Sequence, residues 1–337
     1  MPKPDPKVRR WATELLGPKV VVSPLFGGAN NCVFRCTSTD SELVIKSYYN
    51  RDTIDGVSRL AAEVGFLRHA AVYAADETPK LIDVNEIENM IAISFVSGES
   101  INEGDQPASS DVWSLVSYYQ KINPAGYSLS NYPIIARDGY LSISEHISNI
   151  DLRLSALAID HIPRELQSLA HSTLRGVFDR FETAKQITFR LINNGVISDK
   201  LPTAQMQLSP GDFGFHNVIK HRERLVVIDF EYAGLDDPAK TVADFFLQPK
   251  VAIDKRLFDE VVSKMAIVIP PTTLRARALA LGGILSIKWL AIILSPLDRD
   301  RYASFASRHG PSVVPRLLQR LQLVQKNSLF ELKNGTD

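Results

Sequence analysis

Asp212, Asn217 and Asp229 are residue types that together suit phosphoryl transfer. The stretch Gly211-Asp212-Phe213-Gly214-Phe215-His216-Asn217 is followed by Val226-Val227-Ile228-Asp229-Phe230-Glu231. It presents a carboxylate, an amide five residues later and a second carboxylate twelve residues beyond that, the last one closing an apolar run. Moving a γ-phosphoryl group needs a base to orient the attacking hydroxyl and oxygen ligands for Mg²⁺. Asp212 falls in a tight, glycine-flanked turn after an apolar strand over residues 205–208, with Phe213 and Phe215 placed to anchor that turn in the core. Asp212 or Asn217 alone is an ordinary turn residue; the set is not.

A nucleotide site needs more than these three. Gly27-Gly28-Ala29-Asn30-Asn31 lies between two strands instead of at a strand-to-helix junction, which argues against a dinucleotide fold. It suits a hairpin loop whose backbone N–H groups lie over phosphates, although paired glycines in a hairpin are also simply a turn. Lys46 follows one strand later in Leu43-Val44-Ile45-Lys46, and Glu63 stands seventeen residues on, within an expected helix. A lysine that binds phosphates needs a carboxylate to hold its long side chain in place. The strand over residues 90–95 then runs through Ser94 and Val96 into a hinge, where backbone groups are placed to hydrogen-bond an adenine.

The elements expected to position these groups differ between the two halves of the chain. Residues 20–22, 32–36 and 43–48 read as three strands, residues 55–71 as a helix, and residues 80–84 and 90–95 as two further strands. Beyond Ser97-Gly98 the pattern is mainly helical: residues 111–122, 142–157, 163–193, 254–269 and 273–294 carry helical periodicity, several with a capping residue or an early proline. Short strands at 205–208, 218–220 and 225–228 interrupt that half. Two domains are expected, a nucleotide-binding lobe over residues 1–97 and a helical catalytic and acceptor-binding lobe over residues 98–337.

Composition narrows the remaining possibilities. The chain is 45% hydrophobic and 23% charged, as ordinary soluble domains are. Lys plus Arg number 38 and Asp plus Glu also 38, so no global field draws in nucleic acid or an anionic membrane. Residues 278–297 are strongly apolar, but Lys288, Gly282-Gly283 and Pro296 mark a buried helix in preference to a membrane span. The start of the chain is polar, then amphipathic, without a signal peptide's apolar stretch, and a cytoplasmic location is expected. Cys32 and Cys36 read as free thiols on one face of a strand.

Gly211-Asp212-Phe213-Gly214-Phe215-His216-Asn217 with Ile228-Asp229-Phe230-Glu231-Tyr232-Ala233 resembles the signature of the aminoglycoside phosphotransferase and choline kinase family. The resemblance runs from the glycine-rich loop to about Gln248. It implies an α+β, bilobal protein-kinase-like fold with a small antiparallel-sheet N-lobe and a mainly helical C-lobe. It also implies transfer of phosphate from ATP, with Mg²⁺, to a small-molecule hydroxyl. On that resemblance Asp212 is the catalytic base, Asn217 and Asp229 hold the metal, and Lys46 and Glu63 form the phosphate-binding ion pair. Gly27, Gly28, Ala29 and Asn30 cover the nucleotide, and Asp244 braces the catalytic loop. Pro210 stands where the family usually has His before the Gly-Asp pair, a residue that mainly packs the loop.

Some residues keep two readings. Glu231 is a further metal ligand or a surface charge, His216 a packed, hydrogen-bonded loop histidine, and Asp236 and Asp237 either face a cationic acceptor or form a turn. The acceptor is an amino alcohol, a sugar or an aminoglycoside-like compound. Besides a small-molecule kinase, the chain fits an inert nucleotide-binding scaffold. A protein kinase is disfavoured, because no recognisable substrate-docking pattern follows Asp229.

Overall fold

Phe34, Cys36, Leu43 and Ile45 are buried at alternate positions of two neighbouring strands, and this period-2 pattern organises the first of the chain's two units. A computed structural model describes residues 5–25, 31–49, 58–126, 132 and 134–326. The first unit comprises residues 1–139, 206–236 and 250–253, and the second comprises residues 140–205, 237–249 and 254–337.

The first unit opens with helix α1 (Pro6–Leu16), started by the Asp5 carboxylate, which accepts the Lys7 N–H, and by proline in its first turn. Strands β1 (Val21–Leu25), β2 (Asn31–Thr37) and β3 (Glu42–Tyr48) precede helix α2 (Arg59–Tyr73), which Ser58 caps. Strands β4 (Leu81–Asn85) and β5 (Met90–Ser94) complete an antiparallel sheet in the order β1-β2-β3-β5-β4. The expected run of three strands, a helix and two strands is therefore present. Val8, Trp11 and Ala12 of α1 pack with Val22, Phe34, Cys36, Leu43, Ile45, Met90 and Ala92. Side chains alternate along β3, so Lys46 and Tyr48 project on the face opposite Leu43 and Ile45. Cys32 and Cys36 are both free thiols. Burial pushes the Cys36 thiol up to about 11.

The rest of this unit builds the loop that carries Asp212. Strand β6 (Glu99–Ser100) pairs with β8 (Val218–His221), which pairs with β9 (Arg224–Val227), while β7 (Gln207–Ser209) pairs with β10 (Gly234–Asp236), all antiparallel. Helix α3 (Ser109–Ile122) grips β7 from the side: Asn123 donates to the Leu208 carbonyl at 2.9 Å and accepts the Leu208 N–H at 2.8 Å. Tyr119 donates to the Gln207 side chain at 2.8 Å. Phe213 and Phe215 are buried as expected, Phe213 against the rings of Tyr118 and Tyr119.

The second unit is helical. It contains α4 (Ile143–Ser155), α5 (Arg164–Asn193), α6 (Pro238–Leu247), α7 (Phe258–Met265), α8 (Pro271–Ile293), α9 (Arg299–His309) and α10 (Val313–Lys326). A capping box of Ser142 and Glu145 starts α4. The helix expected over residues 254–269 is a 3-10 turn followed by the shorter α7, and Pro271 opens α8 in place of a continuation. Among the described residues α8 alone is long and apolar enough to cross a membrane, and 72% of its apolar window is buried. Of its three cations, two are paired inside, Arg277 with Asp237 at 2.6 Å and Lys288 with Asp244 at 3.2 Å, while Arg275 pairs with Asp259 at the surface. His146 is buried beside this cluster, and burial first, then Lys240, holds its pKa well below the usual histidine range.

Candidate active site

Lys46 and Glu63 meet as their order along the chain requires. Lys46 Nζ donates to both Glu63 oxygens, at 2.9 and 2.6 Å, and to Asp229 Oδ1 at 2.7 Å. The lysine is 5% and the glutamate 1% exposed. Burial opposes the charge on Lys46, but Glu63 and Asp229 outweigh it and hold the ammonium pKa above the ordinary lysine value. Burial also raises the Glu63 carboxyl, an effect that Lys46 opposes. Helix α2 fixes both ends of this arrangement, through Glu63 and through Phe66, whose ring stacks on Phe230 with centroids 4.3 Å apart.

The turn holding Asp212 is set by backbone contacts. Gly211 has φ +86, and a Cβ there would lie 2.4 Å from the Tyr232 carbonyl oxygen. Only glycine meets both the left-handed conformation and the close approach. Gly211→Ala is expected to lower stability by about 2–4 kcal/mol, read by denaturant unfolding; an unchanged midpoint would contradict this packing. After Asp212 a 3-10 turn over Phe215–Asn217 folds the chain back. Asn217 Nδ2 donates to the Asp212 carbonyl at 2.9 Å, which assigns its amide and turns Oδ1 elsewhere. His216 Nε2 lies 2.9 Å from Asp212 Oδ2.

Asp229 follows β9 with φ +67, a left-handed conformation rare outside glycine and better tolerated by Asp than by most residues. The Ile228 N–H donates to the Asn217 carbonyl at 2.9 Å, extending the β8–β9 pairing by one step and placing Asn217 and Asp229 at the same end of that hairpin. Glu231 is 5% exposed and accepts from Asn31 Nδ2 at 2.7 Å, so it is not a surface charge. Among the described residues, no group of three or more His, Cys, Asp or Glu side chains is arranged for a metal ion.

Other expected residues are placed differently. Gly27, Gly28, Ala29 and Asn30 lie outside the described residues. The Ser94 N–H donates to the Lys80 carbonyl and its hydroxyl accepts the Lys80 N–H, both at 2.9 Å, so this N–H is committed to the sheet; Val96 is half-buried just after β5. Asp237 caps α6 and pairs with Arg277, and Asp236 is buried in β10. These are structural positions, not an exposed turn. Within the helical unit Asp244 bonds to Lys240, Lys288 and Trp289.

Three partners escaped the sequence reading. Tyr48 donates to Glu63 Oε2 at 2.5 Å, and its signal was the strand period, two residues beyond Lys46 on the same face. His216 binds Asp212 itself. Asn31 binds Glu231 across a separation of 200 residues, which no local pattern announces.

No family model and no curated protein matches the chain. Solved structures do. A choline/ethanolamine kinase family protein from Mesorhizobium loti is similar with a TM-score of 0.56 and 17% identity, over 96% of this chain and 95% of that one. Spectinomycin phosphotransferase APH(9)-Ia, in complex with ADP and spectinomycin, gives a TM-score of 0.61 and 12% identity over 97% and 99% of the two chains. The streptomycin–ATP complex of APH(2″)-IIa gives 0.54 and 14% over 95% and 97%. At these identities the likeness is one of fold.

Proposed function

From the fold it shares with choline/ethanolamine kinases and aminoglycoside phosphotransferases, we propose that this chain is a small-molecule kinase. It transfers the γ-phosphate of ATP to a hydroxyl of a small compound. The observation that carries this reading is the buried contact of Lys46 with Glu63 and Asp229, because it joins the phosphate-binding lysine to the Asp229 arm. The solved relatives with ADP or ATP bound support the nucleotide.

The residues fit a Mg²⁺ ion. Asn217 Oδ1 and the Asp229 carboxylate are hard oxygen donors at one end of a hairpin, and Mg²⁺ is commonly held by one or two such groups with phosphates and water. When bound, the ion offsets phosphate charge. Lys46 binds the phosphates of ATP and Glu63, steadied by Tyr48, keeps the ammonium in place. We assign Gly27, Gly28, Ala29 and Asn30 to the cover over those phosphates and the Ser94 to Val96 backbone to the adenine. The nucleotide is held by residues 1–97 and the acceptor by residues 98–337. Asp212 takes the acceptor's hydroxyl proton as that oxygen bonds to the γ-phosphorus and the bond to ADP breaks.

ADP release, measured with ATP against a panel of hydroxyl compounds spanning amino alcohols, sugars and aminoglycosides, tests this. Release is expected to depend on one acceptor class, to yield the phosphorylated product and to stop when EDTA removes the metal. Tight, Mg²⁺-dependent ATP binding with no acceptor-dependent release across the panel would favour a nucleotide-binding scaffold instead.

A further inference from the structure

We infer that His216 is the residue that orients Asp212 for proton abstraction, an inference that rests on the phosphotransferase reading above. The His216 side chain is 9% exposed, the Asp212 side chain 40%, and Nε2 lies 2.9 Å from Oδ2. The His216 Nδ1 is buried without a hydrogen-bond partner. These facts select a tautomer. An ionised carboxylate only accepts, so Nε2 carries the hydrogen.

The chain holds Asp212 at two points. Asn217 Nδ2 fixes its backbone carbonyl, and His216 fixes one carboxylate oxygen. A carboxylate on a short side chain otherwise turns about its terminal bond, which is soft. With Oδ2 held, the carboxylate plane is set and so is the direction of Oδ1. His216 is thus a positioning residue, and orientation of this kind is where small displacements lose large factors in rate.

Two variants separate this from simple packing. His216→Leu keeps an apolar side chain in the cavity but has no donor, while His216→Gln keeps an amide donor of similar reach. His216→Leu is expected to lower kcat about 10- to 100-fold with KM for ATP nearly unchanged. His216→Gln is expected to recover most of that loss, with both variants melting near wild type. Equal loss in the two variants, an unaltered kcat in His216→Leu, or a change confined to KM would overturn the inference. If His216→Leu does not fold, the wild-type and His216→Gln rates decide, since loss of rate in a folded Gln variant contradicts a donor role. The ¹⁵N spectrum of the histidine-labelled full chain gives a readout without turnover: the Nε2–H tautomer at His216 is required, and the Nδ1–H tautomer overturns the assignment. If wild type phosphorylates nothing, the function reading falls, and the spectrum alone decides whether His216 donates to Asp212.

Discussion

Lys46→Met is expected to destabilise the first unit by about 3 kcal/mol at neutral pH and to abolish phosphotransfer. The lysine makes three short contacts with two carboxylates, and its removal leaves Glu63 buried opposite Asp229 with no cation between them. Removing one partner of a buried ion pair typically costs about 3–5 kcal/mol, and the lower end applies because the Asp229 side chain is 42% exposed and can turn to water. Glu63 has no such escape. Its carboxyl is already raised by burial, and the variant removes the lysine that opposed the rise. A carboxyl with a folded-state pKa above its unfolded value binds more protons in the folded protein, so folding gains as pH falls from that raised value toward about 4.5. The deficit is therefore expected to shrink on acidification. Urea unfolding at several pH values measures it, and a deficit that grows toward acid would contradict the buried-pair account. The double variant Lys46→Met, Glu63→Leu is expected to regain much of the stability and none of the activity, because neither charge is then left unpaired.

Asp212→Asn is expected to reduce kcat about 10²- to 10⁴-fold while leaving stability within about 0.5 kcal/mol and ATP affinity intact. Asparagine has nearly the same shape, and its Oδ1 still accepts the His216 Nε2–H, so the turn persists. The variant loses only the capacity to take a proton. On the proposed function ATP is held by Lys46 and the metal that Asn217 and Asp229 would bind, and ATP affinity is therefore expected to survive the loss of the Asp212 carboxylate. Steady-state rates at saturating acceptor, with calorimetric titration of ATP, separate the two effects. A wild-type kcat in Asp212→Asn would remove Asp212 from the proton transfer.

The sequence made some of this site legible and hid the rest for physical reasons. Lys46, Glu63 and Asp229 were readable because a strand lysine, a helix glutamate and a strand-ending aspartate came in a workable order, and they converge in the structure. The five-stranded sheet was readable from alternation and turn residues. Helix α6 was less so, although Asp237 before Pro238 is a regular helix start: the same residues also spell a turn, and the helix is only 10 residues long. Strands β6 and β10 exist because distant segments pair with them, as Glu99 does with Lys220. His216 lay four residues from Asp212 in a loop, where that interval carries no geometric meaning. The Asn31 bond to Glu231 is tertiary and had no local trace.

The hairpin that presents Asn217 and Asp229 acts as a ruler. Their separation is measured across paired strands, by the Ile228 bond to Asn217 and the Val218–Val227 register, and not along the chain. The interval of twelve residues therefore reflects only the length of the loop closed at Arg222, where the backbone turns left-handed. Lengthening both arms together would leave Asn217 opposite Ile228 and Asp229 one residue beyond that pair, while a slip of one residue in one arm would change which residue stands opposite Asn217 and turn that arm's side chains to the other face. Distant proteins with the same pair of donors can thus differ freely in that interval. A pattern written with a fixed gap would pass them by, and one written as two strand ends in register would find them.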